Sequence, residues 1–469
     1  MKGLLFAFFT IFILSGLGAQ EYRITKGGVT NSLAIPGAPG ETYALYIPRD
    51  YSPEMNWPVI FTFDPQGRGA KSASLFRLAA ENQQYIIAAS NFNLQNRPVD
   101  SIVRKAAAMM DNVLRSFPVD PLLVYTAGME EGAQVASALP LIYKKMAGVM
   151  AIGNSFVNAN YLDKENPYMF IGIAGKKDYM VYEMEDYLRF YDDLDFPTDV
   201  YYFDGKQNEW PSAQVISNAV TGFTLEAIRK GKRPDDPEFI KKLFEDELAF
   251  SESLRRTRQY HAAFEKLDRM KVKYEDYGFE EVIEEKKKEI KRIKNYRSQK
   301  NKFRQAVAFE KEQQREYEYL LKTDIMTANF QNIGWWAYQI DELNKLKDKD
   351  EVAQSNMAHR LLGYLDFVSK REFDEIMRSQ ANIDIKIFIS VLRTAINKED
   401  PEAYFKIISL AALDGDEETA LLYLEDLLKT GYNDLESLYN IEGALDLQFN
   451  PEYNAIIKRY LGESKFFNE

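Results

Sequence analysis

Cysteine is absent from the 469 residues of the chain, and histidine occurs only twice, at His261 and His359. The lack of cysteine excludes disulfide frameworks, thiolate zinc sites and cysteine nucleophiles. The scarcity of histidine matters because its side chain is the usual general base and the commonest transition-metal ligand. The acidic clusters also lack the spacing of a calcium loop. We therefore expect neither a metal ion nor a cofactor.

Basic residues are outnumbered by acidic ones, 59 to 71, so the formal net charge is −12. A surface of this sign repels phosphate backbones and disfavours general nucleic-acid binding. Apolar residues make up 46% of the chain, which is enough to bury a core and argues against a disordered protein. After the first 20 residues, no apolar run is long enough to span a bilayer. The sequence predicts neither a nucleic-acid partner nor a transmembrane span.

The first 20 residues have the pattern of a secretory signal peptide. Lys2 precedes an apolar stretch from Leu4 to Leu14, and small residues lead up to a cleavage site after Ala19. No cysteine follows that site, as a lipoprotein anchor would require. The pattern therefore predicts that residues 1–19 are removed and that the protein is periplasmic, extracellular or held at the cell surface.

Composition changes near residue 230. Residues 1–230 hold 17 of the 25 glycines and 13 of the 17 prolines, whereas residues 231–469 hold 86 of the 130 charged residues. We interpret this as two domains, 20–230 and 231–469, joined by a hinge at residues 229–237.

Strand and helix patterns alternate in the first part, which predicts a parallel sheet with helices on both faces. The predicted strands are Thr42–Ile47, Val59–Phe63, Tyr85–Ser90, Leu122–Tyr125, Gly148–Ile152, Met169–Ile173 and Val200–Phe203, and the predicted helices are Ser101–Arg115, Ala133–Lys145, Glu183–Leu194 and Ala213–Lys230.

The second part has helical periodicity throughout, and two of its stretches share one spacing. Ala263 is followed directly by an apolar residue, with another three positions on, and the same pattern recurs at Ala420. This resembles the second helix of a tetratricopeptide repeat, in which the alanine permits close helix contact. The sequence predicts an all-α, tetratricopeptide-like array of helical hairpins.

The segment from Val124 to Gln134 predicts a strand, a sharp turn and then a helix. Gly128 and Gly132 bracket the turn with the spacing of a nucleophile elbow, where glycines make room for a strained turn that presents a serine hydroxyl. Glu130 occupies the middle position. With this segment, residues 40–230 resemble the α/β-hydrolases, and more narrowly their secreted esterase and polyester-depolymerase-like branch.

The resemblance implies positions for the rest of a catalytic triad. Asp178, in a G-x-x-D turn after a predicted strand, matches the acid of the family. Residues 208–211 read Asn-Glu-Trp-Pro and are similar to the family's His-Glu-Trp-Pro, which puts Asn208 at the position of the base. Residues 1–230 contain no histidine. We interpret the two histidines of the second part as ordinary helix residues, against the alternative of a base that reaches across domains.

The loop after Val59–Phe63 also departs from the family pattern. Such enzymes commonly carry a His-Gly pair there, whereas residues 64–69 read Asp-Pro-Gln-Gly-Arg-Gly. Pro65 has no backbone N–H to offer an oxyanion. Arg68 could still hold an anion, or the loop is an ordinary strand-to-helix connection. The candidate ligand-binding residues of the resulting cleft are Glu130, Asp178, Asn208, Trp210 and Arg68.

Ten basic residues lie between Lys286 and Arg304, with Glu289 as the only acidic residue among them. Apolar residues recur there at helical spacing, so the stretch predicts an amphipathic helix with a positive face. That face is either paired with the neighbouring acidic runs or binds an anionic envelope polymer through Lys286, Lys287 and Lys288.

An aromatic cluster at Trp335, Trp336 and Tyr338 lies in the helical part. Stacking on a sugar or peptide is one interpretation. The other is filling of the helical core, which is the commoner place for large aromatic side chains.

Two functions follow from these patterns. The one that we favour is a non-catalytic binding or assembly module of the cell envelope, whose helical domain binds an envelope protein or peptide. The alternative is a secreted hydrolase of acyl esters or peptides, with an unconventional nucleophile at Glu130 assisted by Asp178. The sequence leaves enzyme activity open, and the replacements at Glu130 and Asn208 favour a protein without it.

Overall fold

The computed structural model describes residues 24–95, 97–157, 162 and 164–467, so the predicted signal peptide lies outside the described residues. An eight-stranded sheet with helices on both faces forms the first part, and the described chain after it is helical. The predicted fold class is confirmed at the level of an α/β sandwich followed by an all-α region.

The sheet is mixed, with the order β1-β2-β4-β3-β5-β6-β7-β8. Its strands are β1 (Val29–Ala34), β2 (Thr42–Tyr46), β3 (Trp57–Phe63), β4 (Ile86–Ser90), β5 (Val119–Met129), β6 (Gly148–Ile152), β7 (Met169–Gly175) and β8 (Thr198–Phe203). The expectation of a parallel sheet is wrong at one edge, because β2 runs antiparallel to both β1 and β4. The sequence pattern did not indicate β1, since this edge strand mixes polar and apolar residues and is only partly buried.

Helices α3, α4 and α5 cover one face of the sheet, and α1, α2 and α6 cover the other, with a buried apolar cluster on each side. These helices are α1 (Gly69–Leu75), α2 (Arg77–Gln83), α3 (Val99–Ser116), α4 (Glu131–Ala138), α5 (Val181–Asp192) and α6 (Ala213–Arg229). The predicted helix Ala133–Lys145 is too long. It ends at Ala138 and tightens into a 3₁₀ turn over Leu139–Leu141, because Pro140 cannot continue an α-helix.

Three further apolar clusters hold the helical region together. Its helices are α7 (Pro237–Arg256), α8 (Tyr260–Lys273), α9 (Glu280–Lys291), α10 (Lys294–Thr327), α11 (Ile333–Lys347), α12 (Val352–Arg378), α13 (Ile383–Ile396), α14 (Pro401–Asp414), α15 (Glu417–Lys429), α16 (Leu435–Leu438) and α17 (Pro451–Leu461). Among the described residues, none of the helices combines the length and the apolar character that a membrane span needs.

The alanines that predicted helical hairpins lie near the starts of α8 and α15. Ala263 and Ala420 are both fully buried. The hydroxyl of Ser251 on α7 donates a hydrogen bond of 3.2 Å to the carbonyl of Ala263, so α7 and α8 approach closely at this residue. The kinship of these hairpins with tetratricopeptide repeats stays a prediction.

The basic stretch does not form one helix, as its periodicity predicted. Helix α9 ends at Lys291 and α10 begins at Lys294, and the turn between them allows Ile290 and Tyr296 to be buried in the same cluster. Neither glycine nor proline marks this break, which is why local sequence signals did not reveal it.

The lysines of the basic stretch are paired with acidic neighbours. Lys287 is buried, and its ammonium lies 2.6 Å from Asp268 and 2.9 Å from Glu284. Lys286 lies 3.2 Å from Glu289. Lys288 is exposed. The predicted pairing with carboxylates is confirmed for Lys286 and Lys287, whereas Lys287 is buried and does not belong to a solvated face.

The tryptophan pair belongs to the helical core. Trp336 is fully buried, and its indole Nε1 donates a hydrogen bond of 2.8 Å to Asp324. Trp335 packs edge-on against it with ring centroids 4.9 Å apart. Tyr338 is exposed. Core filling is therefore the correct interpretation of the two tryptophans.

Buried charges join the helical region to β8. The ammonium of Lys273 on α8 lies 3.4 Å from Asp199 of β8 and 2.9 Å from Glu247 of α7, and it donates to the carbonyl of Asn218 on α6. Lys266 pairs with the other carboxylate oxygen of Glu247. Burial opposes the charge of Glu247, but the two lysines hold its pKa below its ordinary value. One buried carboxylate of α7 thus pairs with two lysines of α8 at the junction with β8.

The predicted hinge is bonded to both parts of the chain. Arg229 donates to the carbonyl of Lys273 on α8, and Arg233 donates at 3.0 Å to the carbonyl of Gln83 on α2. The division into domains 20–230 and 231–469 stays a prediction.

Candidate functional site

The five candidate residues follow the carboxyl ends of parallel strands. Arg68 follows β3, Glu130 follows β5, Asp178 follows β7, and Asn208 and Trp210 follow β8. This edge is where open α/β sheets bind ligands. The structure divides the five into one group around the Glu130 carboxyl and another around a buried aspartate.

Glu130 occupies the tip of a sharp turn between β5 and α4, with φ 51° and ψ −117°. Positions 128 and 132 beside this turn have room only for glycine, because any side chain there would collide with the backbone. A Cβ on Gly128 would lie 2.1 Å from the carbonyl oxygen of Gly132, and one on Gly132 would lie 2.1 Å from that of Phe63. The strand, strained turn and helix predicted from the sequence are present, in the conformation of a nucleophile elbow.

The side chain of Glu130 is held inside the protein and is 6% exposed. Its Oε1 accepts a hydrogen bond of 3.3 Å from the backbone N–H of Asn208. Gly153, after β6, makes room for it, because a Cβ there would lie 2.6 Å from Oε1. Burial, together with the charge of Asp178, raises the pKa of Glu130 to about 7. Near neutral pH this carboxyl is therefore present in both protonation states.

Asp178 is the second buried carboxyl of the site. Its Oδ1 accepts a hydrogen bond of 2.9 Å from the N–H of Met180, which fixes the loop after β7. Burial raises the pKa of Asp178 to about 6, with a smaller contribution from Glu183, although the Met180 N–H opposes the shift. Each of these two carboxyls titrates near neutrality and can hold a proton there.

Asn208 meets this pair through its main chain. The residue is exposed and has a positive φ of 63°, which turns its N–H toward Glu130. The position that the resemblance assigned to a histidine base thus supplies a main-chain donor.

Arg68 and Trp210 converge on Asp64, which sequence reasoning did not single out. The guanidinium of Arg68 donates to both carboxylate oxygens, at 3.0 and 2.9 Å, and the indole of Trp210 donates at 2.8 Å. Burial alone would raise the pKa of Asp64, but these hydrogen bonds hold it below its ordinary value. The sequence signal that could have indicated this ion pair is the position of Asp64 at the end of β3, four residues before Arg68.

Helix α12 covers the loop that carries Asp178. The ring of Tyr179 stacks on Phe367 with centroids 5.2 Å apart, and Arg360 donates to the carbonyl of Lys176. Gly363 allows this approach, because a Cβ there would lie 3.1 Å from the Tyr179 ring. A glycine within a long helix was the sequence signal for the contact.

The two histidines lie in helices, as predicted. His359 on α12 is partly buried, and burial together with the charges of Lys177, Lys347 and Lys206 lowers its pKa. His261 on α8 packs against Phe303, with ring centroids 5.0 Å apart. Within the described part of the chain, the structure shows no hydrogen bond between either imidazole and the five candidates.

No protein-family model matches the chain, and no curated protein matches it either. Solved esterase structures are similar to less than half of it. A hyperthermophilic esterase from Pyrobaculum calidifontis has 14% identity and a TM-score of 0.37, over 44% of this chain and 87% of its own. Est1E from Butyrivibrio proteoclasticus has 10% identity and a TM-score of 0.34, over 43% of this chain and 99% of its own. S-formylglutathione hydrolase from Staphylococcus aureus has 12% identity and a TM-score of 0.33, over 43% of this chain and 98% of its own. Similarity of this extent does not identify the function of this chain.

Proposed function

We propose that this protein is an exported binding or assembly module of the cell envelope, built on an α/β-hydrolase-like scaffold without serine–histidine catalysis. One observation carries the proposal: the elbow presents a buried Glu130 carboxyl, whose partner at the position of the base is the N–H of Asn208. A hydroxyl nucleophile needs a base within hydrogen-bond reach, and this arrangement offers neither.

The carboxyl pair gives the site a recognition chemistry. With pKa values of about 7 and about 6, Glu130 and Asp178 hold a proton in part of the population, so the pair can both donate and accept hydrogen bonds. Amides and hydroxyls, as in a peptide or sugar, have the matching groups. The long helical region supplies the extended surface that a protein or peptide partner needs.

An anionic polymer is a lesser partner in this proposal. The side chain of Lys288 is exposed and accessible to a ligand, whereas Lys286 and Lys287 form ion pairs with carboxylates. Binding at this point would need those pairs to open, and it would be sensitive to salt.

A secreted hydrolase is the second candidate, because the same carboxyls titrate where an acid or base works best. In that case Glu130 would be the nucleophile and Asp178 would assist it.

The experiment that separates the two uses residues 20–469. Turnover of short acyl esters and labelling by a fluorophosphonate are measured for the wild type, Glu130→Ala, His359→Ala and the exposed control Glu209→Ala. We expect all four to match a heat-denatured sample. A labelled serine would overturn the proposal, and turnover lost in Glu130→Ala but kept in Glu209→Ala would establish the hydrolase.

Export is tested with the full chain expressed in a bacterium. We expect the periplasmic or secreted protein to begin at Gln20, and the variant Ala19→Arg to accumulate with its N-terminus uncut. A wild-type chain that stays in the cytoplasm with residues 1–19 attached would refute export.

A further inference from the structure

A cavity of about 700 Å³ lies between the sheet and helices α8, α10 and α12. Its apolar walls include Val181 of α5, Phe303 of α10 and Val352 of α12. A smaller cavity of about 330 Å³ runs beside β8. The residues that line both are Lys176, Tyr202, Gln259, Ala262 and Glu265. The larger volume suits a small organic molecule, and its walls include none of the five candidate residues around Glu130.

The basic groups around the larger cavity differ in whether they have partners. Arg360 is engaged by both carboxylate oxygens of Glu310. Lys302 lies 4.0 Å from Glu351. Arg258 is exposed to solvent. Lys176 is half-buried, lines both cavities and is available for a ligand.

The acidic groups are mostly engaged as well. Glu351 caps α12 and accepts the N–H of Gln354 at 3.1 Å. Glu185 accepts the hydroxyl of Tyr202 at 3.1 Å. Glu265 lies 3.4 Å from the imidazole of His261, and Asp350 is exposed. These carboxyls would repel a doubly charged ligand, so the cavity suits a single negative charge.

Within the described part of the chain, Lys176 has no direct partner, although the charges of Glu265 and Asp204 act on it and favour its charged form. Among the described residues, its ammonium forms neither an ion pair nor a hydrogen bond, although burial lowers its pKa. The next residue shows the contrast, because Lys177 pairs with Asp204 at 2.9 Å and lies outside both cavity walls. Lys176 is half-buried, and an anion beside its ammonium would supply the ion pair that the described residues do not.

We propose that this cavity binds a small amphiphilic monocarboxylate. The carboxylate pairs with Lys176, and the apolar body lies against Val181, Phe303 and Val352. This site is separate from the carboxyl pair at Glu130 and goes beyond the proposed function, so either can fail without the other.

The test uses 11-(dansylamino)undecanoate as a fluorescent probe, displaced by decanoate or by decanol. We expect saturable binding to the wild type and a decanoate affinity about tenfold or more above that of decanol. In Lys176→Met this preference should vanish, whereas Lys177→Met should keep it. Far-UV circular dichroism checks that both variants are folded.

Three results would overturn the proposal: no saturable binding of the probe to the wild type, equal affinity of the wild type for decanoate and decanol, or an unchanged preference in Lys176→Met. The first two results are measured on the wild type alone, so the proposal can be refuted even if Lys176→Met does not fold.

Discussion

The indole Nε1 of Trp210 donates a hydrogen bond of 2.8 Å to Oδ2 of Asp64, and this bond ties the loop after β8 to the loop after β3. Because Asp64 is fully buried, its charge depends on the few donors that reach it. A double-mutant cycle with Trp210→Phe and Asp64→Asn should show a coupling of about 1–2 kcal/mol in the free energy of unfolding, measured in urea.

The control for this cycle is the exposed pair of Arg115 and Asp111, whose N–O distance is 3.5 Å. Its coupling should stay below about 0.5 kcal/mol. Equal coupling in the two pairs would mean that the Trp210–Asp64 bond does not stabilise the site.

The glycines of the elbow give a second prediction. Gly128→Ala and Gly132→Ala should each destabilise the protein by about 3 kcal/mol or more, because the added Cβ would meet backbone atoms at 2.1 Å. Gly334→Ala is the matched control, since a Cβ there meets nothing within 4 Å and the residue lies in α11. It should be neutral or stabilising by up to about 1 kcal/mol. Thermal and urea unfolding measure all three, and similar losses would contradict the tight turn.

A third prediction concerns pH. The pKa of Glu130 rises from 4.5 to about 7 on folding, so between these values the folded protein binds a proton that the unfolded chain releases. The wild type therefore loses stability as pH rises through this window, by about 2–3 kcal/mol. Glu130→Gln should avoid this loss and gain that amount relative to the wild type between pH 4.5 and pH 8, measured by urea unfolding.

The exposed Glu209 provides the reference for this experiment. Glu209→Gln should follow the wild type at every pH. If the difference between Glu130→Gln and the wild type were the same at pH 4.5 and pH 8, the raised pKa would be wrong.

The fourth prediction tests the junction at β8. Glu247→Ala leaves Lys266 and Lys273 buried without their shared carboxylate, and should cost about 3–5 kcal/mol of unfolding free energy. Glu245→Ala, exposed on the same helix, should cost less than about 0.5 kcal/mol. Comparable denaturation midpoints would show that the charge cluster does not hold α7 and α8 in place.

The central strands could be predicted because they are buried on both faces and read as continuous apolar runs. β6 lies at Gly148–Ile152, as expected. Helix α5, which follows β7, begins and ends two residues before the predicted Glu183–Leu194. The sequence pattern did not predict β1, because an edge strand with one solvated face has no continuous apolar run.

The site was predictable only where its signal is local. Gly128 and Gly132 revealed the turn around Glu130, because the constraint lies within five residues. Other contacts join residues far apart in the sequence. Trp210 and Asp64 are 146 positions apart, and Arg360 and Lys176 are 184 positions apart. Spacing along one sequence carries no information about such pairs.

Arg360 holds helix α12 on the loop after β7 through the main-chain carbonyl of Lys176. Every amino acid has that carbonyl, so the docking of the helix places no demand on the side chain at position 176. Evolution can therefore exchange this lysine without releasing α12. A substitution at position 176 can thus change the charge of the cavity wall while the main-chain contact that docks α12 is kept.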